Sequence, residues 1–199
     1  MMACSPAAVD DSSGIDSYVV ASGSFDTANA TKISGLGNIR FVNVLNGIFS
    51  NNSMALKAQL DLSGNSVTAI FNSNNSVMNS SAGGVAVTFT RSGASVIGSI
   101  AVNGSSVTMD PSRLSFYVPA ALDVIIDVHN ISSTRAHVLI WRRDSTIYSA
   151  GSADIDTDNS TDYSGTYPTN AAGAGTFAGL SLNNATVTGS SIGLAKVAE

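Results

Sequence analysis

Carboxylate, imidazole, indole and guanidinium groups recur at alternate positions in two neighbouring segments. In Asp123–Asn130 the odd positions include Asp123, Asp127 and His129, and the even positions Val124, Ile126 and Val128 are apolar. In Arg135–Arg143 the odd positions include Arg135, His137, Trp141 and Arg143, and the even ones Ala136, Val138 and Ile140. Period-two alternation sends the two sets to opposite sides of a strand. Antiparallel pairing of His129 with His137 then sets Ile125 opposite Trp141 and Asp123 opposite Arg143, with the apolar side chains gathered behind. An indole beside carboxylate, imidazole and guanidinium groups suits a polyol, whose C–H faces stack on the ring while its hydroxyls bond to the polar groups. Trp141, Asp127, His129 and His137 are the expected binding residues, with Asp123 and Arg143 at the margin. The bland alternatives are Trp141 tucked under a loop, or a solvated face whose Asp123–Arg143 pair contributes under ~1 kcal/mol. Two opposed imidazoles with Asp127 also match zinc's preferred ligand types.

A second cluster is acidic. Asp154, Asp156, Asp158 and Asp162 are four of the thirteen Asp residues, packed into nine positions. Carboxylates at alternating loop positions suit Ca²⁺, which takes roughly 6–8 oxygen ligands. Two departures from the usual calcium loop stand out: no Gly follows Asp158, and Gly165 occupies the place of the closing Glu. The expectation is a structural Ca²⁺, against a plain solvated acidic loop.

No reaction is legible. Gly189-Ser-Ser-Ile-Gly193 fits G-x-S-x-G, but that motif works only on a strand-to-helix elbow, and a Ser- and Gly-rich chain produces it by chance. Gly173-Ala-Gly-Thr-Phe-Ala-Gly179 misses the dinucleotide spacing. Glycoside hydrolysis needs two carboxyls about 5–9.5 Å apart. Asp123 and Asp127 lie four residues apart, about 13 Å along a strand, and the one Glu is Glu199. The chain reads as non-enzymatic.

The elements that must position these groups are strands. Glu199, Gln59 and three Lys are the whole supply of the residues that usually fill exposed helix faces, which argues against helices. Val, Ile, Thr, Phe and Tyr dominate the apolar runs and suit pleated surfaces. Expected strands are 17–21, 38–44, 54–62, 67–71, 85–91, 96–103, 107–109, 114–118, the pair within 123–143, 146–149, 176–182, 186–188 and 192–197. In 54–62 the even residues Met54, Leu56, Ala58, Leu60 and Leu62 should face inward and Lys57, Gln59 and Asp61 outward. Residues 72–84 read as a surface loop, and Asn103-Gly104 as a hairpin turn. About thirteen short strands predict an all-β fold, a two-sheet antiparallel β-sandwich. A chain of 199 residues is expected to hold a flexible tether over 1–15 and one sandwich domain over 16–199.

Charge narrows the partners. The net charge is −5 and only 12% of residues are charged. Without a basic stripe for phosphates, nucleic acid is excluded as a partner. No apolar run approaches the ~18 residues of a spanning helix. Cys4 is the sole cysteine, so no intrachain disulfide forms. Met2-Ala3-Cys4-Ser5-Pro6 resembles the cleavage end of a bacterial lipoprotein signal, which implies lipidation at Cys4 and a polar tether over Ala7–Gly14. Asn29, Asn51, Asn74, Asn79, Asn103, Asn130, Asn159 and Asn184 head Asn-x-Ser/Thr sequons, which would accept glycans in a eukaryotic secreted protein.

The alternating strands around Leu114–Trp141 and the closing run Gly175-Thr-Phe-Ala-Gly-Leu-Ser-Leu182, followed by Ala185-Thr-Val187, resemble the concanavalin-like and laminin-G-like jelly rolls. That resemblance implies a lectin-like sandwich and carries over no site residue. The reading that follows is an extracytoplasmic protein of the bacterial cell envelope or surface (lipid-anchored), or secreted. It would bind carbohydrate or another envelope ligand and touch the membrane only through its lipid anchor, and a homo-oligomer is compatible with this reading. The alternative is a self-assembling structural subunit of a fibre, surface layer or shell.

Overall fold

The computed structural model describes residues 18–28, 32–42, 52–78, 84–102, 104–106, 115–117, 121–132, 135–142, 176–188 and 193–196. Among these residues every regular element is a strand. In chain order they are β1 (Tyr18–Asp26), β2 (Lys32–Phe41), β3 (Asn52–Gln59), β4 (Ser66–Ser73), β5 (Val85–Ser92), β6 (Ser95–Val102) and β7 (Ser105–Ser106). The remainder are β8 (Ser115–Tyr117), β9 (Ala121–Ser132), β10 (Arg135–Arg142), β11 (Phe177–Thr188) and β12 (Gly193–Lys196). The fold is an all-β antiparallel sandwich made from one continuous sheet, in the order β10-β9-β3-β11-β4-β5-β6-β7. Off that path, β1 pairs with β2, β2 with β11, β12 with β3 and β8 with β6.

The long strand β11 changes partner along its length. The first part of β11 pairs with β4, from Phe177 opposite Ser73 to Asn183 opposite Ser66. Its later part pairs with β3, Thr186 opposite Gln59 and Val187 opposite Ala58. Between them the ladder to β2 shifts register from Asn183 to Ala185, and Asn184 takes φ 50°. One extra residue bends a strand and increases its twist. The Asn183 amide donates to the Gly64 carbonyl at 3.3 Å, joining this bulge to the turn between β3 and β4. Asn tolerates the left-handed region, whereas a bulky L-residue there costs roughly 1–2 kcal/mol. Asn184→Val is therefore expected to lose about that much stability in urea denaturation, and Asn184→Gly to stay within a few tenths of a kcal/mol. Equal midpoints for the two variants would contradict the strained-bulge account.

The core lies between the layers and follows the sequence parity. Met54, Leu56 and Ala58 of β3, Leu122, Val124, Ile126 and Val128 of β9, and Val138 and Ile140 of β10 are all buried. They share one cluster with Val67, Ala69 and Phe71 of β4 and Val85, Val87 and Phe89 of β5. Burying each large apolar side chain stabilises the fold by roughly 1.5–3 kcal/mol.

Several expectations need correction. Leu62 does not face inward; it is 69% exposed, because β3 ends at Gln59 and the chain turns at 62–65. That turn is closed by Asn65 N–H donating to Leu62 O. The stretch from Asn72 is not simply a surface loop, since Asn72, Ser73 and Met78 are fully buried. Met78 packs on Ile70 and Ala86, forming a second small cluster outside the main core. Residues 176–182 and 186–188 are one strand, not two. Strand β2 begins at Lys32 rather than 38 and ends at Phe41, and β1 runs on to Asp26. Twelve strands stand among the described residues, where about thirteen were expected. The expected strands at 107–109 and 146–149, and the tether over 1–15, lie outside the described residues.

Glycine hid part of the first hairpin. Gly23 lies directly opposite Gly37, with φ of 89° and 142° respectively. A Cβ on Gly23 would sit 2.1 Å from the Leu36 carbonyl oxygen, and one on Gly37 would sit 2.2 Å from that of Ser22. Only glycine allows this close approach, yet glycine reads in sequence as a break.

Candidate functional site

The β9–β10 hairpin has the anticipated register. His137 stands opposite His129, Trp141 opposite Ile125 and Leu139 opposite Asp127. The even residues Val124, Ile126, Val128, Val138 and Ile140 are at most 1% exposed. Asp127, His129, His137 and Trp141 thus occupy strand positions of the opposite parity. Asp123 and Ile125, which share that parity, are half-buried. Arg143 lies outside the described residues, and so do Cys4, the four Asp residues at 154, 156, 158 and 162, and residues 189–192 of the G-x-S-x-G match.

The tertiary pairing adds neighbours that local reasoning could not supply. On its other edge β9 pairs with β3, which puts Lys57 opposite Asp123, Ala55 opposite Ile125 and Ser53 opposite Asp127. Gly193 of β12 follows opposite Ala55, and Ala195 opposite Ser53. One row across four strands therefore reads Trp141, Ile125, Ala55, Gly193, with residue size falling along it. The rows beside it carry Asp127 and Ser53 on one side, and Asp123 and Lys57 on the other. Ala55 is 1% exposed, so this part of the row is covered. The outward parity of Lys57 was legible in the alternation of 54–62; its placement against Asp123 was not, because a ladder joining residues more than sixty positions apart leaves no local trace.

A second group was missed altogether. On β2 the Arg40 guanidinium lies over the Phe177 ring of β11, 5.1 Å from its centroid. Asn38, two residues earlier, donates its amide to the Val77 carbonyl at 3.2 Å. The 74–78 turn that brings Val77 there is held by Val77 N–H donating to Asn75 Oδ1 at 2.8 Å and Asn75 N–H donating to Ser73 Oγ at 3.1 Å. The sequence signal was available in Gly173–Gly179 as an aromatic within a glycine-rich approach, but nothing in it pointed to β2.

The class that fold and face define is an antiparallel β-sandwich with polar residues on the outward parity of its strands. No protein-family model matches the chain, and no curated protein does. Among solved structures it is similar to a carbohydrate binding module from Bacillus subtilis, at 12% identity and TM-score 0.49, over 90% of this chain and 96% of that one. A legume lectin-like domain from Entamoeba histolytica matches at 8% identity and TM-score 0.47, over 96% of this chain and 100% of that one. A functionally unknown protein from Saccharomyces cerevisiae matches at 10% identity and TM-score 0.44, over 95% of this chain and 99% of that one.

Proposed function

We propose that the chain is a non-enzymatic binding module of the cell envelope or surface, recognising carbohydrate or a similar polyol through the odd positions of β9 and β10. One observation carries this reading. The ladder sets His129 opposite His137 and Trp141 opposite Ile125, while the even residues beside them are sealed in the core. Pleating assigns alternate positions to opposite faces, so the burial of Val124, Ile126 and Val138 supports reading positions 127, 129, 137 and 141 as members of the other face. Trp141, with the half-buried Ile125 opposite it, would offer apolar contact to sugar C–H groups, with Asp127 and Asp123 in the neighbouring rows as acceptors for hydroxyls.

The test is a glycan array probed with the whole chain and with Trp141→Ala. Loss of an aromatic stacking platform is expected to weaken hits among neutral glycans by at least about tenfold, or roughly 1.4 kcal/mol. Neutral-glycan hits that survive the substitution unchanged, or an array without neutral-glycan hits, would remove this face as the recognition site.

A further inference from the structure

We infer that β2 and β11 carry a second site, built on Arg40 and Phe177, for the carboxylate of an acidic sugar such as a uronate. A guanidinium within about 6 Å of an aromatic centroid is held by the ring's quadrupole, and Arg40 meets that geometry at 5.1 Å. The ring is fixed in turn, because Phe177 packs against the buried cluster of Ile70, Met78 and Ala86. Arg40 itself is half-buried. Its fork is thus pre-positioned while it keeps access to water, and a planar fork matches a carboxylate with two parallel hydrogen bonds.

Charge complementarity selects the ligand's sign. The ladder neighbours of Arg40 are Val19 and Gly179, and the row continues through Ile70 and Ala86. The next row runs from Ser22 and Asn38 through Ser181 and Thr68 to Thr88. Among these residues there is no carboxylate, although acids outnumber bases in the chain as a whole. One oriented cation in a neutral surround fits a single anionic group. It does not fit a nucleic-acid backbone, which demands many cations.

The second row identifies what carries the anion. Asn38, Ser181, Thr68 and Thr88 are half-buried amides and hydroxyls. The Thr68 and Thr88 hydroxyls lie 2.8 Å apart, so each retains further capacity to donate or accept. Asn38 is tied to the Val77 carbonyl, which fixes the amide two residues from the guanidinium. Asn38 and Ser181 in the row beside Arg40, with Thr68 and Thr88 one and two strands beyond Ser181, are groups that donate and accept along the length of a short sugar chain bearing a carboxylate. This site lies on different strands from β9 and β10 and stands whether or not the Trp141 face binds.

The experiment is calorimetric titration of the whole chain with a uronic-acid trimer and with the neutral hexose trimer of the same linkage. Wild type is expected to bind the uronate trimer at least tenfold more tightly, with affinity falling as salt rises. Arg40→Gln should erase that preference, and Lys32→Gln, which removes an exposed cation elsewhere on β2, should leave it intact. Equal affinity for the two trimers, or a preference that survives Arg40→Gln, overturns the proposal. So does sodium sulfate or an acidic peptide that competes as well as the uronate trimer. If Arg40→Gln does not fold, Arg40→Lys carries the test, since it keeps the charge and loses the fork. A several-fold loss then supports the site, and unchanged affinity overturns it.

Discussion

Ile126→Asn is expected to remove most of the protein's stability, while Ile125→Asn, one residue away, leaves it folded with a loss under about 1.5 kcal/mol. Ile126 is 0% exposed and belongs to the main core, whereas Ile125 is half-buried on the opposite parity. Asn at 126 forfeits roughly 1.5–3 kcal/mol of apolar burial. It also strands an amide among hydrocarbon, which costs about 1–3 kcal/mol more. Together these come to about 2.5–6 kcal/mol, comparable with the lower end of the roughly 5–15 kcal/mol by which single domains are stable. At position 125 the amide keeps contact with water, and only part of the apolar area is lost. Urea denaturation of both variants reads the difference. Equal midpoints would mean that β9 does not present its even residues to the core, and the binding face proposed on its odd positions would go with it.

Phe71→Ala should cost about 3–5 kcal/mol, as truncation of a buried phenylalanine generally does, and the upper half of that range is expected here. Phe71 is fully buried on β4, opposite Val85. The cost of a cavity depends on how far its walls can collapse. Here the backbone cannot follow easily, because a Cβ on Gly84 would already lie 2.2 Å from the Phe71 carbonyl oxygen and Gly84 has φ 96°. The next residue, Asn72, also takes positive φ and is fully buried. In a scanning calorimeter the loss corresponds to a fall of roughly 6–20 °C, at about 2–4 °C per kcal/mol. Ile97→Ala provides the comparison: Ile97 is 40% exposed, and a shift below ~1 kcal/mol is expected. If the two substitutions lowered Tm alike, the packing described around Phe71 would be wrong.

How far the fold could be read in advance varied along the chain for physical reasons. Alternation is a local property, so β3, β4, β5, β6, β9 and β10 were legible within a few residues at their ends. Reading failed where one rule masked another. Gly23, Gly35 and Gly37 looked like breaks because glycine disfavours strands, yet here glycine is what lets β1 and β2 approach. Asn183-Asn184 looked like the end of a strand, because Asn favours turns; it is a bulge within β11 that bends the sheet. Asn72 to Met78 looked solvated by composition, and Met78 nonetheless closes over Ile70 and Ala86.

The candidate faces divide in the same way. Within β9 and β10, facing histidines and a buried even face follow from a short connection and period two alone. That reasoning could not reach Lys57 beside Asp123, Ala55 beside Ile125, or Arg40 over Phe177, since each joins strands distant in the chain.

By itself, then, the sequence determined that the chain is β-structured, which side chains of the clearly alternating strands go inside, and how β9 pairs with β10. The tertiary structure decided which strands become neighbours, where β11 bulges and changes partner from β4 to β3, and which cation rests on which ring. The division follows from range: propensity and parity act over a few residues, whereas ladder partners are chosen by burying every apolar face at once.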